Sequence, residues 1–300
     1  MMERVHTIEV PESLRREPRW WHDEAGAAWL HGLPALAGRA LATWGLVPDG
    51  PSRHGANALV IPVLSPGDPA ALRLTPPGPR AAAELRALRF WAGGPVVGVL
   101  QSSPDGSVLL LERLDPSRSL AGEPVERVAA VAGELVARLA LPGPPADVPT
   151  TADTARALAA TAQARWAALG APGERRWIEA AVAHAGALPD EDPGLAVNGD
   201  VHAEQVLAGG REAWTVIDPV LLGGDPAYDL ARVLWTQADR LTDAAAIRAL
   251  ASALVEATGF DEDRTRAWLV VRTVDYLLWG LEQRLTQDPV RCLRLLDALV

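Results

Sequence analysis

The sequence contains no lysine; all 28 of its basic residues are arginine. Its single cysteine, Cys292, excludes an internal disulfide framework and a cysteine-built zinc site. Phenylalanine and tyrosine occur twice each, against eleven tryptophans. GC-rich coding gives this bias, so tryptophan does not by itself mark a binding surface. No apolar run approaches the roughly 18 residues of a membrane span. The opening MMERVHTIEVPESLRREPRW holds no apolar stretch of the kind a signal peptide needs. A cytoplasmic protein without a membrane partner is the expectation. Acidic residues outnumber basic ones, 28 − 38 = −10. That balance disfavours nucleic acid and would steer a cationic small molecule, although solubility alone accounts for it. Three hundred residues suit one large domain or two lobes with ample core.

What is present concentrates in AVNGDVHAEQVLAGGREAWTVIDPVLLGGDPAYDLARVLW, residues 196–235. Asn198-Gly199-Asp200 is followed by His202 and Gln205, then by Ile217-Asp218-Pro219, then by Gly224-Asp225-Pro226-Ala227-Tyr228-Asp229. Asp200 to Gln205 is a five-residue step, the spacing between base and metal-ligand amide in a kinase catalytic loop. From Gln205 to Asp218 is 218 − 205 = 13 residues, enough for a hairpin turning at Gly209-Gly210 that returns the chain. Phosphoryl transfer from a magnesium nucleotide needs one carboxylate at the substrate hydroxyl and separate oxygen ligands for the metal. Asp200 fits the first role; the Gln205 amide oxygen and the Asp218 carboxylate fit the second. The plain alternatives are an Asx turn at Asp200 and a turn or helix-cap acid at Asp218.

The stretch resembles the aminoglycoside phosphotransferase superfamily, whose loop reads His-Gly-Asp-x-His-x-x-x-Asn before Ile-Asp and Gly-Asp-Pro-x-x-Asp. The run from Glu212 to Pro219 is most similar to the streptomycin 6-phosphotransferase and hydroxyurea phosphotransferase branch. So are Ile8–Pro11, Gly32–Leu36 and Leu109–Asp115, so the similarity covers nearly the whole chain. The resemblance implies a protein-kinase-like two-lobed α+β fold. Residues 1–115 would form a small β-rich nucleotide-binding N-lobe with leading helices, and 116–300 a larger α-helical catalytic and substrate-binding C-lobe. It implies ATP and Mg²⁺ as cofactors, with GTP left open, and a small-molecule acceptor such as an aminoglycoside or hydroxyurea. Residue by residue, it implies that Arg73 meets the phosphates where the family has Lys, with Glu84 as its partner. Glu112 and Leu114 would lie at the hinge, where backbone groups meet the base; an interlobe linker is the alternative. Arg73 as an ordinary strand arginine also stays open. Asn198 replaces a family His and Gln205 a family Asn. Asn198 and His202 are expected to brace the loop, and Asp229 to pin it.

Along the chain, residues 1–22 read as irregular. Asp23 caps a first helix, and Pro34 starts a second that runs to about Trp44. Trp29, Leu33, Leu36, Ala40 and Trp44 form one face, read as packing against the next lobe. Strands follow at 58–64 and 70–75, with Ser52–Asn57 ahead of them as the counterpart of a nucleotide-covering loop. A helix at 79–91 and strands at 96–101 and 107–114 complete the small lobe. Helices are expected from 124, near 152–169 and 173–187, near 226–238 and 243–257, from 263 to 285, and at the C-terminal end. Asp239, Asp275, Trp279 and Glu282 are candidates for meeting a cationic sugar, against the alternative of solvated helix faces. Two other functions remain open: a kinase of an endogenous sugar or metabolite, and a nucleotide-binding pseudokinase, which the departures at Arg73, Asn198 and Gln205 favour.

Overall fold

The computed structural model describes residues 8–55 and 57–300, so the expected covering loop Ser52–Asn57 is described except at Ala56, which lies outside. The chain folds as two compact units. The first comprises residues 1–115 together with Gly209–Ala213, and the second comprises 116–208 and 214–300.

In the first unit a short helix α1 (Glu12–Arg15) precedes the 21-residue α2 (Glu24–Trp44). Asp23 accepts the Gly26 N–H at 2.7 Å and so caps α2, while Gly45 ends it in the left-handed region at φ 64°. The expected break at Pro34 does not occur; Pro34 lies inside α2. An interior proline costs about 3 kcal/mol. Burial of Leu30, Leu33, Ala37, Ala40 and Leu41 along one face offsets it. That face packs on the sheet of its own unit, among Leu59, Ile61, Val63, Leu72 and Leu74.

The sheet is antiparallel and built from β1 (Val47–Pro48), β2 (Arg53–His54), β3 (Leu59–Ser65), β4 (Asp68–Leu74), β5 (Val99–Ser102) and β6 (Val108–Glu112). Its order is β1-β3-β4-β6-β5, with β2 also on β3. The β3–β4 turn closes at Pro66-Gly67, where Gly67 adopts φ 99°, a region that favours glycine. Arg73 lies on the central strand β4, between Val60 of β3 and Leu109 of β6. Helix α3 (Pro79–Phe90) carries Glu84.

At the junction of the units lies β7 (Asp115–Ser119), a strand not among those expected from the sequence. β7 pairs with β9 (Val206–Ala208), and β9 with β10 (Trp214–Val216), which forms the expected hairpin over Gly209-Gly210. β8 (Leu195–Val197) pairs with β11 (Leu222–Gly224). Helices α4 (Val125–Leu139), α5 (Thr151–Ala168), α6 (Arg175–Ala187), α7 (Tyr228–Gln237), α8 (Ala244–Thr258), α9 (Glu262–Glu282) and α10 (Asp288–Leu299) make up the rest. α9 buries residues around most of its circumference, from Thr265 to Gly280, and therefore runs through the core of this unit. Trp177, Trp268, Leu277, Leu278 and Leu296 meet in that core.

Cys292 of α10 has no exposed surface, and burial pushes its thiol up to about 12. A thiol reagent at pH 8 should leave the native protein unlabelled and modify Cys292 only as the protein unfolds in denaturant. Fast labelling without denaturant would contradict the packing of α10.

Candidate active site

The catalytic-type loop lies between β8 and β9, and its shape is set by hydrogen bonds to the backbone. The Asp229 carboxylate, on α7, accepts the N–H groups of Asn198 at 3.1 Å and Gly199 at 2.8 Å. This is the pin expected of Asp229. Asn198 is fully buried; its Oδ1 accepts the N–H of Asp200 at 3.4 Å and of Val220 at 3.2 Å. The amide therefore braces the loop, as expected where a histidine is replaced. Gly199 turns at φ 80°, a backbone conformation that favours glycine, and a Cβ there would also press on the Leu222 side chain at 2.8 Å.

The turn presents the Asp200 carboxylate at the edge of the unit, about one-third exposed. The Gln205 Nε2 donates to Asp200 Oδ2 at 3.3 Å, and the Arg232 Nε donates to Oδ1 at 2.9 Å. The Gln205 backbone carbonyl accepts the Ile217 N–H at 2.8 Å, which brings Asp218 to the same place. Asp218 adopts φ 51°, a left-handed conformation uncommon outside glycine and characteristic of functional turns. His202 is buried; desolvation holds its imidazole below the ordinary value, against the pull of Asp200, Glu204 and Asp218, while Arg232 adds to the lowering. The His202 Nδ1 is buried without a hydrogen-bond partner among the described residues and lies 3.9 Å from Glu204 Oε2, so no bracing hydrogen bond comes from that nitrogen.

Among the described residues, no three of His, Cys, Asp and Glu gather as a metal cage. A divalent ion here therefore depends on hard oxygens of mixed type. The Gln205 Oε1 is buried and meets no hydrogen-bond donor among the described residues. A buried carbonyl in that state costs free energy unless a donor or a cation meets it. The donor set of Gln205 amide and Asp218 carboxylate fits magnesium chemistry.

Of the residues in the first unit, Arg73 and Glu84 form an ion pair at 2.7 Å with Arg73 only 5% exposed. Glu112 spends its N–H on the Gly98 carbonyl at 2.9 Å and its carboxylate on the Gly98 N–H at 2.7 Å and on Arg211 at 3.4 Å. A backbone contact from this strand end to a base would thus come from the Glu112 carbonyl or from Leu114. The three acids named as candidates for a cationic sugar each have an arginine partner. Arg165 forms a fork on Glu282 at 2.7 and 2.9 Å and reaches Asp275 at 3.1 Å; the same fork holds Glu282 below the ordinary carboxylate range. Asp239 is paired with Arg291. Trp279 is half exposed.

Two arginines missed in the sequence complete the site. Arg232, one turn after Asp229 on α7, pairs with Asp200; the i, i+3 step from an expected pin is the only signal for it. Arg272 of α9 is wholly buried, with its guanidinium 3.5 Å from the Tyr228 ring centroid and 4.7 Å from that of Tyr276. Burial holds its pKa down, against the pull of Tyr228, Asp229 and Asp275.

A small antiparallel β lobe ahead of a helical lobe with this loop is the protein-kinase-like fold. A thermostable mutant of the aminoglycoside phosphotransferase APH(4)-Ia, in ternary complex with ADP and hygromycin B, superposes with TM-score 0.57 at 18% identity, covering 87% of this chain and 96% of that one. The choline kinase LicA of Streptococcus pneumoniae superposes with TM-score 0.55 at 11% identity over 90% and 99%. At these identities the likeness is one of fold alone. In sequence, the streptomycin 6-kinase of Streptomyces griseus is 34% identical over 286 residues, 93% of either chain. The hydroxyurea phosphotransferase of Kitasatospora aureofaciens is 34% identical over 299 residues, 98% of this chain and 86% of the other. The aminoglycoside/hydroxyurea antibiotic resistance kinase family matches residues 43–283, and the chain belongs to that family.

Burial pushes the Asp229 carboxyl up to about 7, against Arg272 and the two N–H groups, which favour its charged form. The folded state therefore binds more protons than the unfolded chain between the ordinary value near 3.8 and about 7. Asp229's contribution to stability falls as pH rises through that window, by at most about 1.4 kcal/mol per pH unit, and is flat above it. Urea unfolding between pH 5 and 8 should show this slope in the native sequence and lose it in Asp229→Asn. An unchanged slope in the variant would assign the pH dependence elsewhere.

Proposed function

We propose that this protein transfers the γ-phosphate of ATP, with Mg²⁺, to a hydroxyl of an aminoglycoside-type antibiotic such as streptomycin. The observation that carries the reading is the Asp200 carboxylate beside the buried, donor-free Gln205 carbonyl, with Asp218 delivered next to it by the Ile217–Gln205 hydrogen bond. Residues 1–115 act as the nucleotide-binding lobe, and 116–300 as the catalytic and substrate-binding lobe.

In this reading Asp200 orients the acceptor hydroxyl and takes its proton as the new oxygen–phosphorus bond forms and the bond from γ-phosphorus to the bridging oxygen breaks. Arg73, fixed by Glu84, meets the phosphates with a planar guanidinium in place of a lysine ammonium. Gln205 and Asp218 hold Mg²⁺, which supplies neutralisation of phosphate charge when bound. The strand end at Glu112 and Leu114 offers backbone groups to the base. Support for an antibiotic acceptor comes from the relatives named streptomycin 6-kinase and hydroxyurea phosphotransferase, both 34% identical.

Asp200→Asn should reduce phosphate transfer at least about 10²-fold, the scale of a lost general base, with MgATP binding retained. Transfer is read with labelled ATP against streptomycin, hydroxyurea, hygromycin B and simple sugars. Undiminished turnover in Asp200→Asn would remove its assigned role. Turnover of a sugar but of no antibiotic would move the acceptor to an endogenous metabolite.

A further inference from the structure

Arg232 holds the carboxylate that the reaction needs. Its Nε donates to Asp200 Oδ1 at 2.9 Å, while Gln205 Nε2 touches Oδ2 at 3.3 Å. The guanidinium is held on its own side by two aromatic rings, 4.7 Å from the Trp235 centroid and 5.9 Å from that of Tyr276. Those rings are themselves 5.8 Å apart and fixed from behind: Arg291 lies over Trp235 at 5.3 Å and Arg272 over Tyr276 at 4.7 Å. Arg291 has a carboxylate partner of its own, Asp239, and Arg272 donates to the Tyr276 hydroxyl. The described ion pair of Arg232 is with Asp200.

We infer that Arg232 is a positioning residue for the transfer reaction: clamped on Trp235, it fixes the Asp200 carboxylate so that Oδ2 faces the acceptor hydroxyl. The inference rests on the kinase reading of Asp200. A hydroxyl must meet one oxygen of Asp200 along a narrow range of directions. With Oδ1 committed to Arg232 at 2.9 Å, Oδ2, whose described hydrogen bond is the longer 3.3 Å one from Gln205 Nε2, keeps a lone pair for the hydroxyl. Without Arg232 the carboxylate can rotate about its terminal torsion, which is broad for Asp. A misplacement of about 1 Å at a reacting group costs on the order of 10² in rate. The pair is about one-quarter exposed at Arg232 and one-third at Asp200, and ion pairs that open to water contribute little to stability. A purely structural role and a positioning role therefore make different predictions.

The test compares the unaltered chain, Arg232→Gln and Arg232→Lys in steady-state transfer to streptomycin, with thermal melting alongside. Arg232→Gln should lower kcat by roughly 30- to 100-fold, leave KM for MgATP within about two-fold, and leave the melting temperature nearly unchanged. Arg232→Lys should recover little, because an ammonium lacks both the Nε donor and the flat face that stacks on Trp235. Full kcat in either variant, with the unaltered chain active, overturns the inference alone. So does a loss of kcat that only follows a loss of folded protein. Failure of the unaltered chain to transfer phosphate to any acceptor overturns the kinase reading and this inference together.

Discussion

A carboxylate with almost no access to water sits behind the catalytic-type loop, and much of the second unit is arranged to keep it there. Asp229 is 1% exposed. An isolated buried carboxylate would be prohibitive, so its oxygens take the N–H groups of Asn198 and Gly199, and Arg272 supplies the opposing charge. Arg272 is equally buried and could not be there alone; Tyr228 and Tyr276 cover its faces. The loop, α7 and α9 are thereby tied into one electrostatic unit, and the position of Asp200 depends on it.

The absence of lysine gives that unit its character. A guanidinium is flat, forked and weakly hydrated, so it can stack on rings and pair within a partly dry interior where an ammonium would be costly. Arg272, Arg232 and Arg291 form an array with Tyr228, Tyr276 and Trp235 next to the loop. Arg73 does comparable work on the central strand of the small lobe, where it is buried against Glu84. Tryptophans that looked like a compositional accident thus divide: Trp235 supports the array, while Trp177 and Trp268 fill the core.

The loop was legible because its chemistry is compact in sequence. The Asp200 to Gln205 step, the Ile217-Asp218 pair and the Gly-Asp-Pro run all lie within residues 196–235; the Asp200 and Gln205 side chains are hydrogen-bonded, and the Ile217 N–H meets the Gln205 backbone carbonyl. The Arg73–Glu84 pair was legible through the resemblance, which sets a strand cation against a helix glutamate. The array behind Asp200 was not, because Arg232, Arg272 and Arg291 sit on helices where charge patterns usually mean solvation. The same ambiguity surrounds Asp239, Asp275 and Glu282, whose arginine partners lie on other helices and leave no local trace. β7, β8 and β11 escaped because strands of three to five residues are too short for periodicity and are held by their pairings. Pro34 was read as a boundary because local chemistry says so; the buried face of α2 overrides it.

Gln205, which stands where the resembled family has asparagine, and Asp218 are proposed to hold the metal of a magnesium nucleotide. Thermal melting with MgATP, with ATP plus chelator, and with Mg²⁺ alone tests it most directly. A ligand at about 100 times its dissociation constant stabilises by about 2.7 kcal/mol, which is a readable shift. The account predicts a clear shift that needs nucleotide and metal together. No shift with either MgATP or MgGTP would contradict it, and would make the chain a kinase fold without a working nucleotide site.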